Sequence, residues 1–150
     1  MTDWGNAQRK AAMTAKWSVT MTKVRIRKTI ARTRWQLVTF CGVRGGESVG
    51  IVDLLAIRKN HRPIGNRFAR GDLFDIVLIQ VKGGSAPYPS SAEVVRLRQV
   101  ASIYKARAVL LARWNKGKQV EFFSLRKKTR NPSTPAAYWS PLEDLSLLFR

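Results

Sequence analysis

Asp53 interrupts the apolar stretch Gly50-Ile51-Val52-Asp53-Leu54-Leu55-Ala56-Ile57, and Gln80-Val81-Lys82 closes a second one that begins at Phe74. A carboxylate, an amide and an ammonium among such neighbours each carry a desolvation penalty, so each calls for a partner. Side chains two apart on a strand share a face, which sends Gln80 and Lys82 to one side and Val81 to the other. If the two strands are neighbours, Asp53 comes within reach of both. A carboxylate, an amide oxygen and the backbone carbonyl of Val81 are hard oxygen donors, a set that suits Mg²⁺ or Mn²⁺ with several waters retained. Lys82 would stand beside a metal-bound water, where its charge helps generate hydroxide or neutralises a phosphodiester in the transition state. Its expected anionic partner is Asp53 or a nucleic-acid phosphate.

The elements that must position these groups read as an α/β chain. Residues 23–34 predict a short helix with Ile26, Ile30 and Thr33 on one face, and Trp35–Gly42 predicts a strand. Gly45-Gly46 breaks the chain before the Asp53 strand, Gly50–Ile57. Residues 58–71 read as a long basic loop or hairpin tip, and Phe74–Lys82 reads as a central strand from its near-continuous apolar run. Ser90 with Glu93 three residues on forms a capping box that opens a helix bearing Val94, Leu97, Ala101 and Tyr104 at helical spacing. Ala108–Trp114 and Gln119–Leu125 predict a hairpin about Asn115-Lys116-Gly117-Lys118. Ser140-Pro141-Leu142-Glu143 is expected to cap a short final helix. The expected organisation is a basic, flexible arm over 1–22, a core over 23–131, and a linker with its capped helix over 132–150.

The chain has 150 residues, 28 Lys and Arg against 9 Asp and Glu, and a formal net charge of +19. That field attracts polyanions, of which nucleic acid is the commonest in a cell. Residues 4–46 contain no acid, so the N-terminal arm is expected to repel itself and to stay mobile or follow a phosphate backbone. Four acids, Glu47, Asp53, Asp72 and Asp75, crowd into 47–75, a reason to expect divalent metal there. The expected phosphate contacts are Lys23, Arg25, Arg27 and Lys28 of the arm and first helix, Arg58, Lys59, Arg62, Arg67 and Arg70 of the loop, and Arg96 and Arg98 of the capped helix. The lone Cys41 excludes an internal disulfide, and the lone His61 excludes a Cys/His zinc site. No run of 18 apolar residues is present to span a membrane and no secretory signal opens the chain, so a cytoplasmic location is expected.

The pairing of Asp53 with Gln80-Val81-Lys82 resembles the PD-(D/E)XK, or restriction-endonuclease-like, nuclease superfamily. Within it the chain is most similar to Mrr-type endonucleases and archaeal Holliday-junction resolvases. The resemblance covers about residues 23–125 and rests on Gly45–Ile57 followed by Leu78-Ile79-Gln80-Val81-Lys82. It implies a mixed β-sheet flanked by helices, Mg²⁺ or Mn²⁺ as cofactor, and metal-dependent hydrolysis of duplex or branched DNA. It also implies that Asp53 and Gln80 hold the metal, that Lys82 assists the nucleophile, and that Glu47 is the counterpart of the acid that precedes the aspartate. Gln80 stands where many members have an acid, a departure that Mrr-like members share. A homodimer is implied by the need to cut two strands.

A different class remains open: a catalytically inactive nucleic-acid-binding protein that keeps the fold and the charge. A ribosomal-type RNA-binding protein explains the charge but not the acid cluster. Asp75, five residues before Gln80, falls on the opposite strand face, and a turn or edge role is expected for it and for Asp72. His61 reads as a solvated loop residue or phosphate contact, and Cys41 as a small buried hydrophobe. Trp35 and Trp114 are expected in the core, while Trp4 and Trp17 are candidates for base stacking.

Overall fold

The structure, a computed structural model, describes residues 3–40, 49–62, 65–85, 87–129 and 132–150. Six strands form one sheet in chain order: β1 (Gln36–Thr39), β2 (Leu54–Lys59), β3 (Phe74–Gly83), β4 (Ala108–Trp114), β5 (Glu121–Leu125) and β6 (Trp139–Pro141). All neighbours are antiparallel except β3 and β4, which run parallel through a crossover that contains the helix α2 (Ser91–Ile103). The helix α1 (Asp3–Ile30) lies on the other face. The α/β class and the mixed sheet flanked by helices are those the sequence implied.

Alternation along the strands divides the core in two. Leu54, Ala56, Val77, Ile79, Leu110 and Ala112 pack toward α1 with Ile26 and Ile30, while Leu78, Val109, Leu111 and Phe123 pack toward α2 with Val94 and Leu97. The even and odd positions of β3 thereby fill opposite layers, as a strand buried on both sides must.

The N-terminal segment is helical from Asp3 onward. One helix runs unbroken from Asp3 to Ile30, across the boundary expected near residue 22. Its buried stripe is Ser18, Thr22, Ile26 and Ile30, each four residues from the last. The two polar members hide this stripe in the sequence. They are accommodated because each hydroxyl donates back one turn, Ser18 to the Thr14 carbonyl and Thr22 to the Ser18 carbonyl, both at 2.7 Å. Arg27 and Lys28 in the last turn oppose the negative end of the helix dipole. Gly83 allows close approach here, since a Cβ on it would collide with Ser18 Oγ and meet the Trp114 carbonyl at 2.9 Å.

The C-terminal segment also departs from expectation. Residues 139–141 add the sixth strand, and the final turn is a 3₁₀ helix, Leu145–Phe149, capped by Asp144 and not by Ser140. The Asp144 carboxylate accepts the Ser146 N–H at 2.9 Å. Phe149 is buried edge-on against Trp35 at 5.3 Å, so this segment closes the α1-side core. Trp35 and Trp114 are buried as expected, and Trp4 is 85% exposed.

Candidate active site

The two strands bearing the predicted groups are neighbours, with Leu54 opposite Ile79 in the β2–β3 register. Asp53 lies one residue ahead of β2, not inside a strand that starts at Gly50 as its apolar neighbours predict. Gly50 has φ +139°, a conformation that favours glycine, and Gly50–Asp53 is an irregular lead-in. Asp53 still joins the sheet: its N–H donates to the Ile79 carbonyl at 3.0 Å, and its Oδ2 accepts the Val81 N–H at 2.6 Å. The carboxylate thus docks on the backbone between Gln80 and Lys82.

Gln80 and Lys82 project together toward α2, and Val81 packs against the α1-side core, as strand alternation predicts. The partner of Lys82 differs from expectation. Its Nζ lies 2.9 Å from Glu93 Oε1, an acid the sequence showed only as half of a capping box. The box is present: Ser90 Oγ accepts the Glu93 N–H at 3.2 Å, and Glu93 Oε2 accepts the Ser90 N–H at 2.7 Å. One carboxylate therefore caps α2 with one oxygen and holds Lys82 with the other. Burial pushes the Glu93 carboxyl upward, but hydrogen bonds from Lys82 and the Ser90 N–H, the Lys82 charge and the Ser90 hydroxyl together hold it below its ordinary 4.5. This second role follows from where the start of α2 meets the end of β3, a contact without a sequence signature.

Gln80 is buried, and its Nε2 makes a long contact of 3.4 Å with Glu93 Oε1. A carboxylate only accepts, so the amide nitrogen faces Glu93 and the amide oxygen faces away. That oxygen is buried with no hydrogen-bond partner. The other buried polar atoms in this condition among the described residues are N–H groups of Trp35, Arg98, Trp114 and Trp139, so Gln80 Oε1 is the one acceptor. An orphaned amide oxygen, on the residue beside the one whose N–H holds the Asp53 carboxylate, is a hard donor of the kind a divalent cation takes. Glu47 lies outside the described residues. Among the described residues no group of three or more His, Cys, Asp or Glu side chains is arranged to hold a metal.

The neighbouring charges are paired off. Arg113 faces Lys82 across the β3–β4 register, yet its guanidinium is held by Glu121 Oε2 at 2.8 and 3.0 Å and lies over the rings of Tyr88 and Phe123. Asp75 accepts Arg58 Nε at 2.9 Å and Asn60 Nδ2 at 3.1 Å, and Asp72 accepts the Ala69 N–H at 2.7 Å. Both shape the hairpin, as their placement in the sequence implied.

Three of the predicted phosphate contacts are engaged inside the molecule, Arg70 by its Nε, which donates to the His61 carbonyl at 3.0 Å. Arg58 bonds Asp75 and the Arg150 carbonyl and stacks on Trp35 at 4.7 Å. Arg98 bonds the Arg126 carbonyl and Thr129 Oγ1 and lies over Tyr138. Their guanidiniums hold the fold because each meets internal acceptors and an aromatic face. Lys59, Arg62, Arg67, Arg70, Arg96, Arg25, Arg27 and Lys28 are exposed, and Lys23 is half-buried. The hairpin loop lies at the far end of β3, however. The seven residues from Asp75 to Lys82 span about 23 Å at roughly 3.3 Å each. Exposed cations at this end of the sheet are Arg96, one turn beyond Glu93, and Lys116 and Lys118 in the turn that follows β4, two lysines that read in the sequence only as turn residues.

Among the described residues no helix is long and apolar enough to cross a membrane. No family model and no curated protein sequence matches the chain. Among solved structures, Hjc of Archaeoglobus fulgidus, a Holliday junction resolvase from an archaeal hyperthermophile, is similar with a TM-score of 0.42 and 16% identity, over 87% of this chain and 90% of that one.

Proposed function

We propose that the protein is a metal-dependent endonuclease that hydrolyses phosphodiester bonds in duplex or branched DNA. The observation behind this reading is the meeting of Asp53, Gln80, Lys82 and Glu93 at one end of β3, with the Gln80 amide oxygen buried and unpartnered, in a chain of net charge +19. Mg²⁺ or Mn²⁺ held by the Asp53 carboxylate, Gln80 Oε1 and the Val81 carbonyl would supply charge neutralisation and a more acidic water. Glu47 is a further candidate ligand. Lys82 offers ammonium donors to a phosphate oxygen, and Glu93 fixes the direction in which they point. The Val81 N–H orients the Asp53 carboxylate. Cutting both strands calls for a homodimer, each copy bringing one site.

The second reading is a nucleic-acid-binding protein without catalysis, and one observation favours it: Lys82 is tied to Glu93 in an ion pair of 2.9 Å. Cleavage of supercoiled plasmid and of a labelled four-way junction in Mg²⁺, Mn²⁺ or EDTA separates the two. The endonuclease cuts with metal and stops in EDTA. Binding without cutting in either metal leaves the second reading.

A further inference from the structure

α2 covers the middle of the sheet and leaves a concave strip on the β1–β2 side of the same face. A groove of about 480 Å³ opens there between the second half of α2 and the strands, floored by Leu55, Ile76 and Leu78 and flanked by Phe40 and Tyr104. Among the described residues its lining is uncharged. Two residues further along β2 and β3, a cavity of about 280 Å³ is lined by Ile57, Lys59, Phe74, Gln36, Arg34 and His61, with Arg58 beside them. Among the described residues this second cavity has no acid in its lining. Leu55, Ile57 and Lys59 occupy alternate positions of β2 and share a face, as do Phe74, Ile76 and Leu78 of β3, so the groove and the cavity follow one another on the same face.

Laid end to end, groove and cavity make a trough that starts at Val52, beside Asp53, crosses an apolar floor and reaches a cationic end at Lys59, six residues from Asp53 or about 20 Å at roughly 3.3 Å per residue. Three aromatic rings border it and remain open to solvent: Phe40 at 45%, Phe74 at 53% and Tyr104 at 61% exposure. Arg34, Lys59 and His61 have no side-chain partner among the described residues, unlike Arg58.

We infer that this trough binds an unpaired nucleic-acid strand, its bases against Phe40, Tyr104 and Phe74 and a phosphate at Arg34 and Lys59. A duplex turns its phosphates outward and keeps its base faces stacked, so it has nothing to place on an apolar floor. An unpaired strand presents both, and aromatic platforms beside cations are the means by which proteins hold one. The cationic end matches a phosphate, for Arg34 and Lys59 line it and no acid stands among its described lining residues. The inference deepens the nuclease reading, for it makes the preferred substrate a junction of paired and unpaired DNA, such as a flap or overhang, whose free strand leads away from the cut. A single-strand length of a few nucleotides fits the trough.

The test is fluorescence anisotropy of a labelled oligothymidine and of a blunt duplex of equal length, in EDTA, so that it reads binding and not cleavage. Phe74→Ala and Tyr104→Ala change exposed side chains and leave the core intact. Each is expected to weaken oligothymidine binding by at least about fivefold while blunt-duplex binding holds. Lys59→Ala and Arg34→Ala are expected to reduce the slope of log K against log salt by roughly 0.7 each for the single strand. Equal losses for duplex and single strand, or no loss for either, overturn the inference. So does a fall in molar mass of Tyr104→Ala by sedimentation with oligothymidine binding unchanged, because the groove is then an interface between copies. Failure of the nuclease reading shows separately, as absence of metal-dependent cutting by a chain that still prefers the single strand.

Discussion

Lys82 Nζ stands 2.9 Å from Glu93 Oε1 while Glu93 Oε2 accepts the Ser90 N–H at 2.7 Å, so one carboxylate joins the end of β3 to the start of α2. The cap that starts the helix is also the brace of the lysine nearest the proposed chemistry.

A pH dependence follows. The Glu93 carboxyl is depressed in the folded chain, so the unfolded chain binds more protons as the pH falls toward 4.5. The stabilisation is complete above that ordinary value and is lost as pH drops through the lower, folded one. Thermal melts from pH 7 to 3 are expected to show wild type losing more stability below pH 4.5 than Glu93→Gln, which cannot titrate there. Parallel curves for the two proteins would remove the brace from the account.

Gln80 supplies a test of metal binding that needs no substrate. Its orphaned oxygen is costly to bury without a cation, so Gln80→Leu is expected to match or exceed wild-type stability in EDTA. Mg²⁺ or Mn²⁺ is expected to raise the melting temperature of wild type and not of Gln80→Leu, since a ligand stabilises only the state that binds it. Gln80→Glu is expected to lower the metal concentration needed. An equal metal shift in wild type and Gln80→Leu would place the cation elsewhere.

Arg96 and Arg98 are two residues apart and are predicted to behave oppositely. Arg98→Ala removes hydrogen bonds to the Arg126 carbonyl and Thr129, each worth about 1 kcal/mol net, and should lower stability in urea titrations. Arg96→Ala should leave stability unchanged and reduce the slope of log K against log salt on duplex DNA by roughly 0.9. A salt slope changed by Arg98→Ala alone would reverse the assignment.

Gly83→Ala tests the seat of α1. The new methyl meets Ser18 Oγ, which can turn away, and the Trp114 carbonyl at 2.9 Å, which belongs to the sheet and cannot. A loss of about 1–3 kcal/mol is expected by urea unfolding, the range for an overfilled core. Stability equal to wild type would mean that α1 packs more loosely on β3 than described.

Much of the fold was legible because the strands are short apolar runs between turn residues. Ala108–Trp114 has the bounds its sequence predicts, and Phe74–Gly83 extends its prediction by one residue. The capping box likewise located α2, since Ser90 and Glu93 act on each other locally. The first helix was misjudged because Ser18 and Thr22 are polar, and only their back-bonded hydroxyls let them lie buried. Of the site, Asp53, Gln80 and Lys82 stood out as polar residues in apolar strands. Glu93 did not, for its contact with Lys82 exists only once α2 crosses over to β4. The internal duties of Arg58 and Arg98 were equally hidden, because a cation bound to a distant carbonyl looks the same in sequence as a free one.

The most direct measurement is metal-dependent cutting of a four-way junction and a supercoiled plasmid by wild type, Asp53→Asn and Lys82→Met, beside binding of the same DNAs in EDTA. Wild type is expected to cut in Mg²⁺ or Mn²⁺, and both variants to lose at least about a hundredfold in rate, as removal of a transition-state charge partner commonly does, while both still bind. Cutting by Asp53→Asn at the wild-type rate would remove Asp53 from the chemistry and the proposed site with it.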